Sequence, residues 1–354
     1  MFDLILSFIT SFALTFLAIP PIINVAKKKG LVDIPDERRS HSEITPSLGG
    51  VAIFAGTIFS VILWTPFNVF GELQYILCAF IIIFLIGVKD DIDPISPGKK
   101  MLGQILAAGI IVLKAKVKLT SFYGIFGIYD LPEFWSIALS IFTIIVIINA
   151  FNLIDGINGL SGSIALLISM ILGYWFFKIG RVEIAIVAFA LSGSIIGFLK
   201  YNITPAKIFM GDTGSLLLGL VCSILTILFI DLHNGLGDSP YAVKSAPAVA
   251  IAILILPLFD TARVFTMRLL KGKSPFHPDR LHIHHLLLDS GLSHMQATGS
   301  LVFVNVIFIY IAYQLQDIGS LYLLLLIIVL ATLLSTILFF ISRKKRIERS
   351  QIKH

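Results

Sequence analysis

Long apolar runs separated by short polar stretches repeat along the whole chain. Eleven such runs, at roughly 4–26, 48–66, 73–89, 101–114, 134–151, 159–178, 183–201, 213–231, 246–268, 296–315 and 320–342, are built mostly from Leu, Ile, Val, Phe, Ala and Gly. A helix that crosses a bilayer needs about 20 mostly apolar residues, whereas a helix on a soluble protein shows a polar face every third or fourth position. No stretch between the runs is long enough to form a soluble domain. The pattern predicts an all-α polytopic membrane protein of about 11 transmembrane helices, with a single multi-helix domain over 1–342 and a basic tail over 343–354.

Composition sharpens this reading. Of 354 residues, 57% are hydrophobic and 14% are charged, against about 25% charged in soluble domains. No basic residue precedes the first apolar run and Lys27, Lys28 and Lys29 follow it, which predicts a retained first helix with its start outside and its end in the cytoplasm. Alternation then leaves the tail cytoplasmic. This orientation puts 21 of the 27 lysines and arginines inside, leaving Lys114, Lys116, Lys118, Lys178, Arg181 and Lys244 outside, as the positive-inside bias requires. The formal charge of +6 is thereby explained as topology plus attraction to anionic membrane lipids, without a nucleic-acid partner. Cys78 and Cys222 lie within apolar runs, where cysteine behaves as a small hydrophobe, so neither a disulfide framework nor a thiol metal site is expected. The expected location is the inner (cytoplasmic) membrane.

Polar groups beside hydrocarbon are costly and mark function. Five motifs carry them: "VKDDIDP" at 88–94, "NLIDGIN" at 152–158, "FMGDTGS" at 209–215, "LFDTARV" at 258–264 and "PDRLHIHHLL" at 278–287. All fall on the predicted cytoplasmic face. Any one of them reads equally well as a helix cap or turn, and Asp212 alone would serve as an N-cap. Capping does not explain five on one face, which points to a shared cleft.

Asp90 and Asp91 are adjacent carboxylates that repel unless a cation lies between them or one acts as a base. Asn152 and Asp155 share a helical face, Gly156 and Gly159 admit a close approach, and Asn158 offers the donor and acceptor that a uracil edge requires. Oxygen donors from several loops suit Mg²⁺ or Mn²⁺ bridging phosphates. A three-histidine zinc site from His282, His284 and His285 is the lesser alternative. Arg280, His282, His284 and His285 read better as donors to a pyrophosphate, with Lys273 and Arg268 adding field. Arg38, Arg39 and His41, and further on Lys99, Lys100 and Gln104, complete the basic stretches of this face. Asp260 and Arg263, three apart, suit a structural salt bridge or, in an ion-coupled transporter, part of an ion pathway. No internal repeat of the transporter kind is seen.

The ordered motifs DD (90–91), N-x-x-D-G-x-N-G (152–159), F-M-G-D-T-G-S (209–215) and D-R-x-H-x-H-H (279–285) resemble those of the polyprenyl-phosphate N-acetylhexosamine-1-phosphate transferases. The loop "SPFHPDRLHIHHLLLDSGLSHMQA" is similar to that of the undecaprenyl-phosphate GlcNAc-1-phosphate branch. The phospho-MurNAc-pentapeptide branch, the alternative, usually carries three consecutive histidines that are absent here. The resemblance implies a transferase that takes UDP-N-acetylhexosamine and undecaprenyl phosphate, uses Mg²⁺ (or Mn²⁺), releases UMP and opens a cell-envelope glycan pathway such as cell-wall or O-antigen synthesis. It further implies that Asp212 and Asn152 hold the metal, that Asp155 is a second acid of that site, and that Asn158 reads uracil. Lys100 with Arg280, His282, His284 and His285 would hold phosphates or sugar, and Asp90 or Asp91 would deprotonate or orient the lipid phosphate. The identity of the hexosamine and the oligomeric state, a homodimer included, stay open.

Overall fold

The computed structural model describes residues 1–33, 45–237, 239–274 and 280–352. Its helices are α1 (Phe2–Lys29), α2 (Gly49–Trp64), α3 (Leu73–Ile92), α4 (Pro97–Leu113), α5 (Glu133–Ile154), α6 (Leu160–Lys178), α7 (Val182–Asn202), α8 (Gly211–Leu232), α9 (Ala246–Ile253), α10 (Ile255–Leu270), α11 (Ile283–Asp289), α12 (His294–Gln314) and α13 (Ser320–Ile352). Two short strands, β1 (Val32–Asp33) and β2 (Thr45–Pro46), pair antiparallel with Val32 opposite Pro46. Seven of the described helices are long and apolar enough to cross a membrane, eight if the bent pair α9 and α10 forms one span. The chain is an all-α multi-pass membrane protein.

Three elements depart from the predicted pattern. The run at 246–268 is two helices bent by 79°, not one. Pro257 supplies the reason: it has no N–H for the Ile253 carbonyl and its ring crowds that oxygen, so the helix breaks at Leu254. A short helix, α11, forms within the histidine loop, where none was predicted. The basic stretch after 342 continues α13 to Ile352 rather than leaving it.

At the centre of the bundle is α8. Buried residues fill 83% of its apolar window, against 28% for α1 and 17% for α13, which faces outward. An α-helix that is apolar all round belongs in a core, yet lipid tails are as apolar as leucine, so close packing and polar ties must bring membrane helices together. Glycines provide that closeness. On α7, Gly193 and Gly197 are one turn apart and face the α1 backbone, where an added Cβ would come within 2.2 Å of the Phe8 oxygen and 2.9 Å of the Phe12 oxygen. At the N-terminus of α8, a Cβ on Gly50 would lie 2.1 Å from the Gly214 nitrogen, and one on Gly87 would lie 2.4 Å from Thr213 Cα. Between α4 and α5, Gln104 and Asn149 exchange amide hydrogen bonds, the shorter at 2.7 Å. At the opposite end of the bundle, residues 120–131 form a hairpin in which the Phe122 N–H meets the Tyr129 carbonyl at 2.8 Å.

Because an added methyl at Gly87 meets backbone rather than a flexible side chain, Gly87→Ala should destabilise by about 1–3 kcal/mol, the usual cost of overpacking. Gly109→Ala on α4, with no heavy atom within 4 Å of the new Cβ, should not. Thermal unfolding of the two purified variants measures the difference, and equal midpoints would contradict the packing account.

Candidate active site

The N-terminal end of α8 opens into a cavity of about 580 Å³ lined by Asp90, Asp91, Asn152, Asp155, Gly156, Asn158, Asp212 and His285, among others. These come from four separate motifs, and the fold brings them to one place. Between the strands and α2, Ser47 also lines the cavity, as do Gly30, Leu31 and Val32 beyond the three lysines that end α1.

The first turn of a helix leaves N–H groups without partners. For α8 they are satisfied from another helix: Asp91 Oδ1 accepts the Asp212 N–H at 2.7 Å, while Oδ2 accepts the Thr213 N–H at 3.0 Å and the Thr213 hydroxyl at 2.5 Å. On the other side, Gly49 and Gly50 donate their N–H groups to the carbonyls of Phe209 and Met210 at 2.9 and 2.8 Å. Gly211 turns the chain into the helix with φ 70°, and a Cβ there would strike the Ser47 oxygen at 2.1 Å and the Asp91 carboxylate. The capping acid is therefore Asp91, on α3, and the Asp212 side chain is left for the cavity.

Asp212 meets Lys100, whose ammonium also donates to Asp90 Oδ2 at 3.1 Å, so one cation sits between two carboxylates. The other Asp212 oxygen accepts from Asn152 Nδ2 at 2.9 Å, and the same amide reaches Ser215 Oγ at 3.0 Å. Asp90 Oδ1 accepts the Ile95 N–H at 2.8 Å, which holds the loop into α4. Asp93 turns away to pair with Lys89 on the surface. Asp155, between α5 and α6, accepts from the Ser161 hydroxyl. Burial, opposed by that hydroxyl and reinforced by the negative charges of Asp212 and Asp91, pushes the Asp155 carboxyl up to about 7.

Asn158 donates to Thr204 Oγ1 at 2.9 Å, and its carbonyl accepts from the Thr298 hydroxyl, also at 2.9 Å. Of the histidine motif, His285 lines the cavity, while His284 packs behind it against Gly156, where an added Cβ would lie 2.3 Å from Nε2. Burial and the neighbouring His285 depress the His284 imidazole to about 3; burial and Arg280 depress His285 to about 4. Both are thus neutral donors or acceptors rather than fixed positive charges. His282 lies deeper, against Asp260. Arg280 is turned to Asp289 at 3.5 Å and does not line the cavity. Arg38, Arg39, His41 and Asp279 lie outside the described residues. The Asp260–Arg263 salt bridge is present at 2.9 Å.

Sequence reasoning missed Asn202. Its Oδ1 accepts the Gly159 N–H at 2.7 Å and its Nδ2 donates to the Ile208 carbonyl at 2.8 Å, so it ties the 152–159 motif to the segment leading into α8. An asparagine closing a helix two residues before Thr-Pro was the available signal, but its partners are remote in sequence.

The family model described as glycosyl transferase family 4 matches residues 73–230, the span that carries three of the four cavity motifs. The chain is 35% identical over 321 residues to a probable undecaprenyl-phosphate N-acetylglucosaminyl 1-phosphate transferase of Bacillus subtilis (strain 168), covering 90% of this chain and 86% of that one. It is 34% identical over 280 residues to the undecaprenyl-phosphate alpha-N-acetylglucosaminyl 1-phosphate transferase of Escherichia coli (strain K12), covering 77% and 73%. The protein of the same name from Yersinia pestis is 33% identical over 302 residues, covering 83% and 78%. With the cavity assembled from the same ordered motifs that first suggested the resemblance, and with relatives aligned over most of both chains, the chain belongs to glycosyl transferase family 4.

Proposed function

We propose that the protein transfers an N-acetylhexosamine 1-phosphate, GlcNAc 1-phosphate first among them, from a UDP-sugar to undecaprenyl phosphate and releases UMP. The convergence of four motifs on one cavity rimmed by carboxylates, two of them paired with Lys100, carries this reading, and the names of the relatives agree with it. In the reaction an oxygen of the lipid phosphate attacks the phosphorus that bears the sugar. The bond from that phosphorus to the bridging oxygen breaks, UMP leaves with the electron pair, and a new phosphoanhydride replaces the old one. One anhydride is exchanged for another, so the rate must come from positioning and charge neutralisation.

The donor set fits Mg²⁺. Among the described residues no three His, Cys, Asp or Glu side chains form a closed cage, and Mg²⁺ is ordinarily held by one or two carboxylates with substrate phosphates and water. Asp212 and Asn152 would hold it, with Asp155 behind them, and the metal would neutralise charge on the pyrophosphate. Lys100, already between Asp90 and Asp212, would follow negative charge as the anhydride is exchanged. Asp90 is the better candidate to orient the acceptor, because Asp91 accepts three hydrogen bonds in the α8 cap, whereas one of the two partners of Asp90 is the Lys100 ammonium that also meets Asp212. Asn158 would read uracil through its amide, and the neutral His285 would donate to a phosphate or sugar oxygen.

The acceptor's tail needs an apolar surface. A second cavity, of about 750 Å³, runs between α10 and α13, with Phe259, Phe339 and Phe340 on its walls and Arg263 at one point of its lining. That composition suits an isoprenoid chain. The eleven crossings, the outside N-terminus and the cytoplasmic active site are part of the same proposal. The orientation draws support from the cavity's position at the end of the bundle where Lys27, Lys28 and Lys29 close α1.

Purified protein given UDP-GlcNAc, undecaprenyl phosphate and Mg²⁺ should release UMP, and Asp212→Asn should lower kcat by about 10²–10³-fold, the scale for removing a preorganised electrostatic group. UMP release that ignores the lipid acceptor would sink the reading. A second expectation concerns pH. Asp155, with its carboxyl near 7, is protonated below that value, and a cation competes with that proton. Activity at limiting Mg²⁺ should therefore fall as pH drops below about 7, and saturating Mg²⁺ should move the fall to lower pH. A pH–rate profile at two Mg²⁺ concentrations reads this directly; an acid limb that does not move with Mg²⁺ would exclude Asp155 from the metal's surroundings.

A further inference from the structure

Asp260 is 1% exposed and lies outside the lining of the catalytic cavity. A carboxylate taken out of water is strongly unfavourable unless several donors surround it, and the donors here share a pattern. Arg263 Nη2 donates at 2.9 Å, His282 Nδ1 at 2.8 Å and the Ile283 N–H at 3.0 Å, while the same arginine nitrogen also donates to the Leu281 carbonyl at 2.5 Å. Two side chains of α10 thus grip three consecutive residues of the histidine loop, one by its ring and two by their backbone.

The grip extends to the cavity through packed rings. His282 lies nearly parallel to His284, at 9° and 5.7 Å between centroids, and His284 meets His285 at 4.3 Å. His284 is buried with its Nε2 against Gly156, in the turn that carries Asp155 and Asn158. A carboxylate at His282 Nδ1 requires a proton on that nitrogen, which fixes the ring's orientation as well as its tautomer.

We propose that Asp260, braced by Arg263, is a positioning residue of the transferase: it fixes His282 and the loop backbone, and through the stacked histidines sets the spacing between His285 and the Gly156 turn. The inference rests on the transferase reading, and its test separates the two. In a double-mutant cycle, Asp260→Asn and His282→Ala should each lower kcat about 10–100-fold, as partners behind a first set of ligands do. The double variant should be no slower than His282→Ala alone, because the two act as one unit. Multiplicative losses, or Asp260→Asn within about twofold of wild type, would overturn the proposal. Should Asp260→Asn fail to fold, ¹⁵N-histidine NMR of the wild-type protein, with His282 assigned by its loss in His282→Ala, decides the matter. A proton on Nδ1 at neutral pH supports the latch, and a bare Nδ1 overturns it. A wild-type preparation that releases no UMP would count against the transferase reading, and the NMR result would still decide the latch.

Discussion

The N-terminus of α8 sets the constraint on which the rest of the site depends. A helix so deeply buried ends where its first N–H groups cannot all reach water, and an orphaned donor at that depth costs about as much as a lost hydrogen bond. Asp91 meets the need from α3, and it can do so only because Gly87, one turn earlier on the same helix, lets α3 lie against Thr213. On the other side Gly49 and Gly50 donate their own N–H groups to the Phe209 and Met210 carbonyls, tying α2 to the residues that lead into α8. Once the donors of α8 are satisfied from outside, Asp212 is spared the capping role that its position in the first turn would otherwise assign to it. Packing, capping and the freeing of a cavity carboxylate are thus one arrangement seen at three scales.

That arrangement gathers negative charge, and the fold answers with a half-buried lysine, Lys100. Asp90, Asp91, Asp155 and Asp212 share one cavity, and like charges so placed raise one another's proton affinity. Lys100 relieves two of them. The same lysine would stabilise a pyrophosphate, so the charge balance of the cavity's own carboxylates and that of the proposed reaction draw on one group. The neutral histidine completes the logic, since His285, backed by the buried His284, can touch a polar ligand without adding fixed charge to a region already set by Lys100.

Much of this was legible in the chain. Apolar runs place most of the helices to within a few residues because a membrane helix is specified by composition more than by periodicity, and the four motifs name the cavity residues because polar groups stand out against hydrocarbon. Pro257 carries the signal for the bend at Leu254, and continuous hydropathy masks it. Other features are tertiary and left no local trace. Nothing near Asp91 shows that it caps a helix more than a hundred residues away, and nothing near Gly87 shows what it faces. Asn202 and Asp260 likewise have their partners in distant loops. The salt-bridge reading of Asp260 and Arg263 was right as far as three-residue spacing could carry it, but spacing along a helix cannot show that the same carboxylate also holds His282.

The break in the α9–α10 pair links these parts. A straight helix at 246–268 would run parallel to the bundle and present one stripe to its neighbours. Bent by 79°, it sends α10 against α5, the helix that ends at the Asn152 motif, while leaving an apolar channel toward α13 on its other face. Asp260 and Arg263 sit on the segment between that cavity and the histidine loop, so the same bend that shapes the apolar cavity also carries the groups that meet the loop. In the proposed reaction a water-soluble donor and a lipid-borne acceptor must meet at the membrane surface, and a helix turned from the bundle axis gives one element contact with both an apolar cavity and the loop beside the polar one.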